Sequence, residues 1–205
     1  MTAEQLNKIE KKLKIAKSFL PPEAYAILLR EHQKALAELE HFEALVKVVK
    51  QRMGVLDRIQ VRPDFDAPPG GFSIGLNERN ECILSFGFGT KEVFNDYVAS
   101  GVIAHELGHY IEGHPQEKMA WFLPFMGSPR EIFDGAKKQR YPQIRQQEYD
   151  ADAVAAQFGY GPALIQSLYW SMDNGGDGPN PGETTHPKLI DRINRLREYD
   201  ERKAA

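Results

Sequence analysis

The chain contains a single cysteine, Cys82, so no internal disulfide can form and a disulfide-stapled secreted scaffold is excluded. It also lacks any apolar run near the roughly 18 residues that a membrane span requires. Its longest candidate, Met119 to Met126 (MAWFLPFM), is eight residues with a proline and reads as a core or cleft wall. There is no basic excess. Lys and Arg number 26 against 29 Asp and Glu, and a net charge of −3 leaves no electrostatic footprint for nucleic acid. The N-terminal stretch MTAEQLNKIEKKLKIAKSFL has no continuous apolar core of the kind a secretory signal carries. No Ser-His or Cys-His pattern suggests a covalent nucleophile. These absences leave a globular protein expected in the cytoplasm, with no integral membrane segment, and long enough at 205 residues to bury one sizeable core.

What is present is concentrated in His105, Glu106 and His109, the pattern H-E-L-G-H. On a helix, residues four apart lie on one face about 5–6 Å from each other, a separation at which two imidazoles can hold one metal ion. Glu106 is turned about 100° around the axis, within reach of a metal-bound water without being a ligand. Residues 91–114 carry no proline, and Val98, Val102, His105 and His109 follow one another at spacings of four, three and four. One apolar stripe of a buried helix therefore holds both histidines, and Pro115 marks its end. Gly108 costs such a helix about 1 kcal/mol and is not what plain packing prefers.

Two histidines do not complete a catalytic zinc site, which usually takes three protein ligands and leaves a position to water. A third histidine in the extended pattern is missing, because position 112 is Glu and position 115 is Pro, and His114 falls out of register, where it is expected to end the helix in solvent. A second helix is predicted over 143–159. There Glu148 and Asp152 sit one turn apart on the side that carries Ile144, Ala151 and Ala155. A buried carboxylate pair demands compensating positive charge. One Zn²⁺ per chain and a histidine supply it, with Glu148 as third ligand and Asp152 as the acceptor that orients an imidazole. The alanines at 151, 153, 155 and 156 would let the two helices approach closely.

The order H-E-L-G-H, then E-Y-D-A-D-A-V-A-A, then T-H-P-K-L-I-D-R-I-N-R-L resembles the HtpX and CAAX-prenyl-endopeptidase type of zinc metallopeptidase, of the gluzincin group, over about residues 80–200. The resemblance implies zinc held by His105, His109 and Glu148, Glu106 as base, and Asp152 supporting a ligand. It implies a mainly α fold with a small β-sheet, of zincin-like type. It also implies a zinc-dependent metalloendopeptidase that hydrolyses peptide bonds of a peptide or unfolded protein with a zinc-bound water activated by Glu106. Many members of that group have transmembrane helices, and this chain departs from them.

In the third motif, Thr184 or Thr185 can cap a helix with Pro187 in its first turn, and Leu189, Ile190, Ile193 and Leu196 give it a packing face. His186 then has three readings: a donor to the developing oxyanion, a fourth zinc ligand acting as an inhibitory latch, or a plain residue of the cap. Arg192 is the alternative donor. Upstream, helices are expected over 1–20 and 22–53, parted by Pro21-Pro22, with Leu39, Phe42, Val46, Val49 and Met53 as a stripe that docks on the core and could instead bind a partner protein. Short strands are expected at Ile59 to Val61 and Cys82 to Phe86, with a loop over 67–75, and the strand at 81–86 as an exposed edge for substrate. The chain is thus divided into an N-terminal helical segment, 1–57, packed on a metallopeptidase domain, 58–205. The competing function is a non-catalytic or self-inhibited zinc-fold interaction protein that uses its N-terminal helices.

Overall fold

Pro21 has no amide hydrogen to continue a helix, and Pro22 suits a first helical position. The computed structural model, which describes residues 3–176 and 185–204, accordingly divides the N-terminal region into α1 (Ala3–Phe19) and α2 (Pro22–Arg52). The stripe Leu39, Phe42, Val46, Val49 and Met53 is buried in the chain's own core. Phe42 lies at its centre, with its ring 4.5 Å from that of Phe86 and 5.6 Å from that of Phe72.

Both aromatic partners belong to a small sheet of β1 (Gln60–Asp64), β2 (Phe72–Leu76) and β3 (Cys82–Gly87), in the order β1-β3-β2. β1 runs parallel to β3, and β2 pairs antiparallel with it, Phe72 opposite Phe86 and Leu76 opposite Cys82. The hairpin between β2 and β3 turns at Asn77, whose side-chain oxygen accepts from the amides of Arg79 and Glu81, while Asn80 takes a left-handed φ of 60°. Two sequence expectations are corrected here. Residues 67–75 are not all loop, because Phe72, Ile74 and Leu76 alternate with Ser73 and Gly75 as a strand does. The strand at 81–86 is not an exposed edge: β3 is buried along its length between β1 and β2, so the free edges are theirs.

The metal-motif helix is shorter than its proline-free span. A short helix α3 (Thr90–Val93) ends at Phe94, and α4 (Asp96–Ile111) starts afresh because the Asn95 side chain accepts from the Val98 amide. α5 (His114–Phe122) follows and passes into a 3-10 turn, Leu123–Phe125. His114 and Pro115 therefore open a helix instead of closing one. The Met119–Met126 segment is neither core nor cleft wall, with Leu123 61% and Met126 66% exposed. Then come α6 (Arg130–Gln139), α7 (Tyr141–Gln157), α8 (Gly161–Asp173) and α9 (Leu189–Ala204). Thr184 lies outside the described residues. The Thr185 hydroxyl is 3.0 Å from His186 Nδ1, and the Asp191 and Arg192 amides bond the Lys188 carbonyl.

α4 is the hub, packed against α7, α8, α2 and β2. Two glycines make this possible. A Cβ on Gly101 would fall 2.5 Å from the Leu164 amide nitrogen of α8, and one on Gly108 would fall 2.7 Å from the Ala151 carbonyl oxygen of α7. Both obstacles are backbone, which cannot swing aside. Helix propensity alone makes Gly108→Ala stabilising by about 1 kcal/mol. The close approach predicts the opposite sign, a loss of about 1–3 kcal/mol from overpacking, read by urea unfolding. A stabilised variant would show that α4 and α7 do not need this contact.

Candidate metal centre

Because α4 and α7 touch at Gly108 and Ala151, side chains one turn to either side face each other across a narrow gap. His105 and His109 project from α4 and Glu148 from α7, and all three are buried. Their nearest donor atoms lie within 4.8 Å of one another, and among the described residues this is the group that could hold a metal ion. His105 Nε2 is 3.4 Å from Glu148 Oε2, and His109 Nε2 is 3.4 Å from Glu148 Oε1. Donors bound at about 2.0–2.1 Å in tetrahedral geometry stand about 3.4 Å apart, so each imidazole nitrogen lies at such a distance from one of the two Glu148 oxygens. The two rings meet edge to face, 4.7 Å between centroids.

The outer nitrogens are held as a ligand pair needs. His105 Nδ1 is 2.8 Å from Asp152 Oδ1, so the proton on Nδ1 is donated there and Nε2 keeps its lone pair for a metal. Asp152 is in turn gripped by Arg192, whose Nε and Nη2 donate to its two oxygens at 2.8 and 2.6 Å. Arg192 Nη1 is also 3.3 Å from Glu148 Oε2. This arginine is buried and committed to carboxylates, so the sequence expectation of a free oxyanion donor does not suit it.

His109 finds its partner in the residue expected to reach solvent. His114 is buried at the first position of α5, and its Nδ1 is 2.8 Å from His109 Nδ1. With His109 ligating through Nε2, its Nδ1–H donates to His114 Nδ1, which requires His114 to be neutral with its proton on Nε2. Burial pushes both rings in that direction, down to about 4. Gly113, at φ 75°, provides the left-handed turn that brings α5 back beneath the last turn of α4.

Glu106 lies in the same cleft, which has a volume of about 830 Å³. Burial raises its carboxyl above the ordinary value, with neighbouring Glu148 adding to the effect and His105 opposing it. Burial would raise Glu148 too, but hydrogen bonds from His105 and His109 and the charge of Arg192 hold it well below the usual range. His186 is at the rim, its side chain 62% exposed and its Nε2 3.8 Å from Glu148 Oε1. The cleft is also lined by the apolar Phe94, Val102, Leu164 and Leu168, and β2 contributes Phe72, Ser73 and Ile74.

No family model matches the chain, and no curated protein does. The fold is similar to that of S. mikatae Ste24p. Its crystal structure aligns with a TM-score of 0.51 at 16% identity, over 95% of this chain and 62% of that one. The likeness is one of fold, and the chain spans less than two thirds of the Ste24p chain's length. Among the described residues no helix is long and apolar enough to cross a membrane.

Charge decides how the trio would take up a metal ion. Burial and Arg192 push His105 down, but Asp152 and Glu148 outweigh them and raise it to about 9. The metal-free chain therefore holds a proton on His105 at pH 7 that ligation must displace, whereas His109 has none to lose. Zinc uptake at pH 7 is expected to release about one proton, and its affinity to rise about tenfold per pH unit until near pH 9. Calorimetry in buffers of different ionisation enthalpy measures the proton count; a count of zero would contradict the assignment. His114→Ala strands the His109 Nδ1–H and is expected to weaken zinc about 10–100-fold in chelator competition. His114→Asn, which offers a carbonyl oxygen, should recover part of that loss.

Proposed function

We propose that the protein is a zinc-dependent metalloendopeptidase. The observation that carries this reading is a buried His-His-Glu trio whose donor atoms lie within 4.8 Å of one another, with a further carboxylate of base type, Glu106, in the same cleft. His105, His109 and Glu148 would hold the ion, and Asp152 and His114 would fix the orientation of the two rings. The resemblance to HtpX and CAAX-prenyl-endopeptidase metallopeptidases supports it, as does the fold shared with Ste24p.

When bound, zinc supplies Lewis acidity that lowers a water's pKa towards about 7 and polarises a carbonyl. The chain's own residues do the rest. An extended peptide pairs with the free edge of β2, which holds its main chain along the cleft and directs one apolar side chain against Phe94, Val102, Leu164 and Leu168. Glu106 removes a proton from the attacking water as its oxygen bonds to the scissile carbon. It returns that proton to the amine nitrogen as the C–N bond breaks, so no covalent enzyme intermediate is needed. A base with a raised pKa, as burial gives Glu106, is suited to both transfers near neutral pH.

A self-inhibited variant of the same site is the second reading, favoured by His186 Nε2 at 3.8 Å from Glu148 Oε1. Casein cleavage with zinc stoichiometry tests both. Wild type and Glu106→Gln are expected to bind one zinc each, with cleavage lower by about 10²–10⁴-fold in the variant. Glu148→Ala is expected to lose the ion. His186→Ala slows cleavage if the ring is an oxyanion donor and speeds it if the ring is a latch. A zinc-loaded wild type that cleaves neither casein nor a peptide library, with His186→Ala equally inert, would overturn the peptidase reading.

A further inference from the structure

The sheet has a second free edge, and it opens onto a second concavity. Among the described residues β1 pairs only with β3, so its outer side carries unpaired main-chain donors and acceptors, and Pro63 is tolerated there because it is an edge. Between this edge and the flank of α2 runs a groove of about 1140 Å³. Its floor is apolar, formed by Leu36, Val46, Val55, Ile59 and Val61. Leu56 and Phe65 also line it and are 94% and 68% exposed.

The charge around the groove runs against that of the molecule. The chain's formal charge is −3, yet among the described residues the groove is lined by Lys12, Lys47, Lys50, Arg58 and Arg62 against one carboxylate, Glu43. Two of these cations are bonded to neutral acceptors, Lys50 to the Asp57 carbonyl and Arg62 to the Ser85 hydroxyl at 3.0 Å. A concave apolar floor beside an unpaired strand edge excludes a flat lipid surface and suits an extended chain. A cationic rim selects carboxylates on that chain.

We propose that the groove between α2 and β1 docks an extended acidic segment of a partner protein, which adds to β1 as a strand. Alternate side chains of such a strand point to opposite faces, so apolar residues would rest on the floor while acidic residues meet the lysines and arginines. The site is separate from the metal trio, and its occupancy is read by binding alone, so it stands or falls independently of the peptidase reading.

Fluorescence anisotropy on the full chain tests it, with a fluorescein-labelled peptide of alternating glutamate and valine as probe. Binding is expected to weaken with added salt and to be roughly tenfold or more tighter than for the lysine-valine counterpart. Lys47→Glu with Arg58→Glu, both exposed positions that leave the core untouched, should weaken it roughly tenfold or more. Lys138→Glu with Arg202→Glu, the same charge change elsewhere, should leave binding within about twofold. N-methylation of every second probe amide should abolish binding. The proposal is overturned if the probe does not bind, if the two double variants behave alike, or if the N-methylated probe binds as well as the parent. Phosphatidylserine vesicles that bind and are lost with the Lys47 and Arg58 reversals, while the peptide does not bind, would assign the patch to lipid and also overturn it.

Discussion

The structure depends on burying three carboxylates, Glu106, Glu148 and Asp152, within one helix-packing interface. Each would be costly alone, because a desolvated carboxylate without a partner either takes a proton or pulls the region open. Arg192 offsets one of the three charges, with both oxygens of Asp152 satisfied by its guanidinium. Two positive charges are still required, and a divalent cation between His105, His109 and Glu148 brings the cluster to neutrality. Without it Asp152 and Glu148 raise His105 to about 9 by holding a proton on its ring, while burial raises Glu106. Proton and metal thus compete for one electrostatic deficit, and the affinity of the site is set as much by the carboxylates behind the ligands as by the ligands themselves.

That cluster can form only where two backbones nearly touch. Gly101 and Gly108 give up helix propensity so that α8 and α7 can close on α4, and Ala151 meets Gly108 at the level of the donor atoms. A side chain at Gly108 would widen the gap that brings Glu148 within 3.4 Å of both imidazoles. The same economy of space governs His114. Only a left-handed residue at Gly113 turns the chain tightly enough for the first residue of α5 to lie under His109.

Much of this was legible before the fold was known, because the signals are periodic or chemical. The α2 stripe, the four-residue spacing of His105 and His109, and the shared face of Glu148 and Asp152 follow from 3.6 residues per turn, and these residues stand together as their spacing implied. What escaped depends on contacts between distant segments. His114 was judged by its register in a helix that in fact ends three residues earlier, and its use by His109 arises from a reversal of the chain. Arg192 is legible as an oxyanion donor from its motif alone, yet three buried carboxylates against one divalent ion demand a buried cation, and its guanidinium meets that demand. β2 was masked by the glycines and prolines before it, although Phe72, Ile74 and Leu76 keep a strand's alternation. The break at Phe94 was signalled by Asn95-Asp96, a capping pair hidden in an otherwise helical run.

The sheet finally explains how a small fold could hold a polypeptide in two ways. Its middle strand is buried, so both outer strands present a free edge, and what differs is the flank each edge faces. β2 borders the cleft in which His105, His109, Glu148 and Glu106 converge. β1 borders α2, where lysines and arginines surround aliphatic side chains. Among the described residues no group of three metal-ligating side chains lies beside β1, so this edge lacks the means to hold a metal ion next to a bound strand. A chain paired with β1 would therefore be retained intact, whereas one paired with β2 would lie beside the groups suited to cleavage. Strand pairing itself is indifferent to sequence, so the distinction between being held and being cut rests on the side chains beyond each edge.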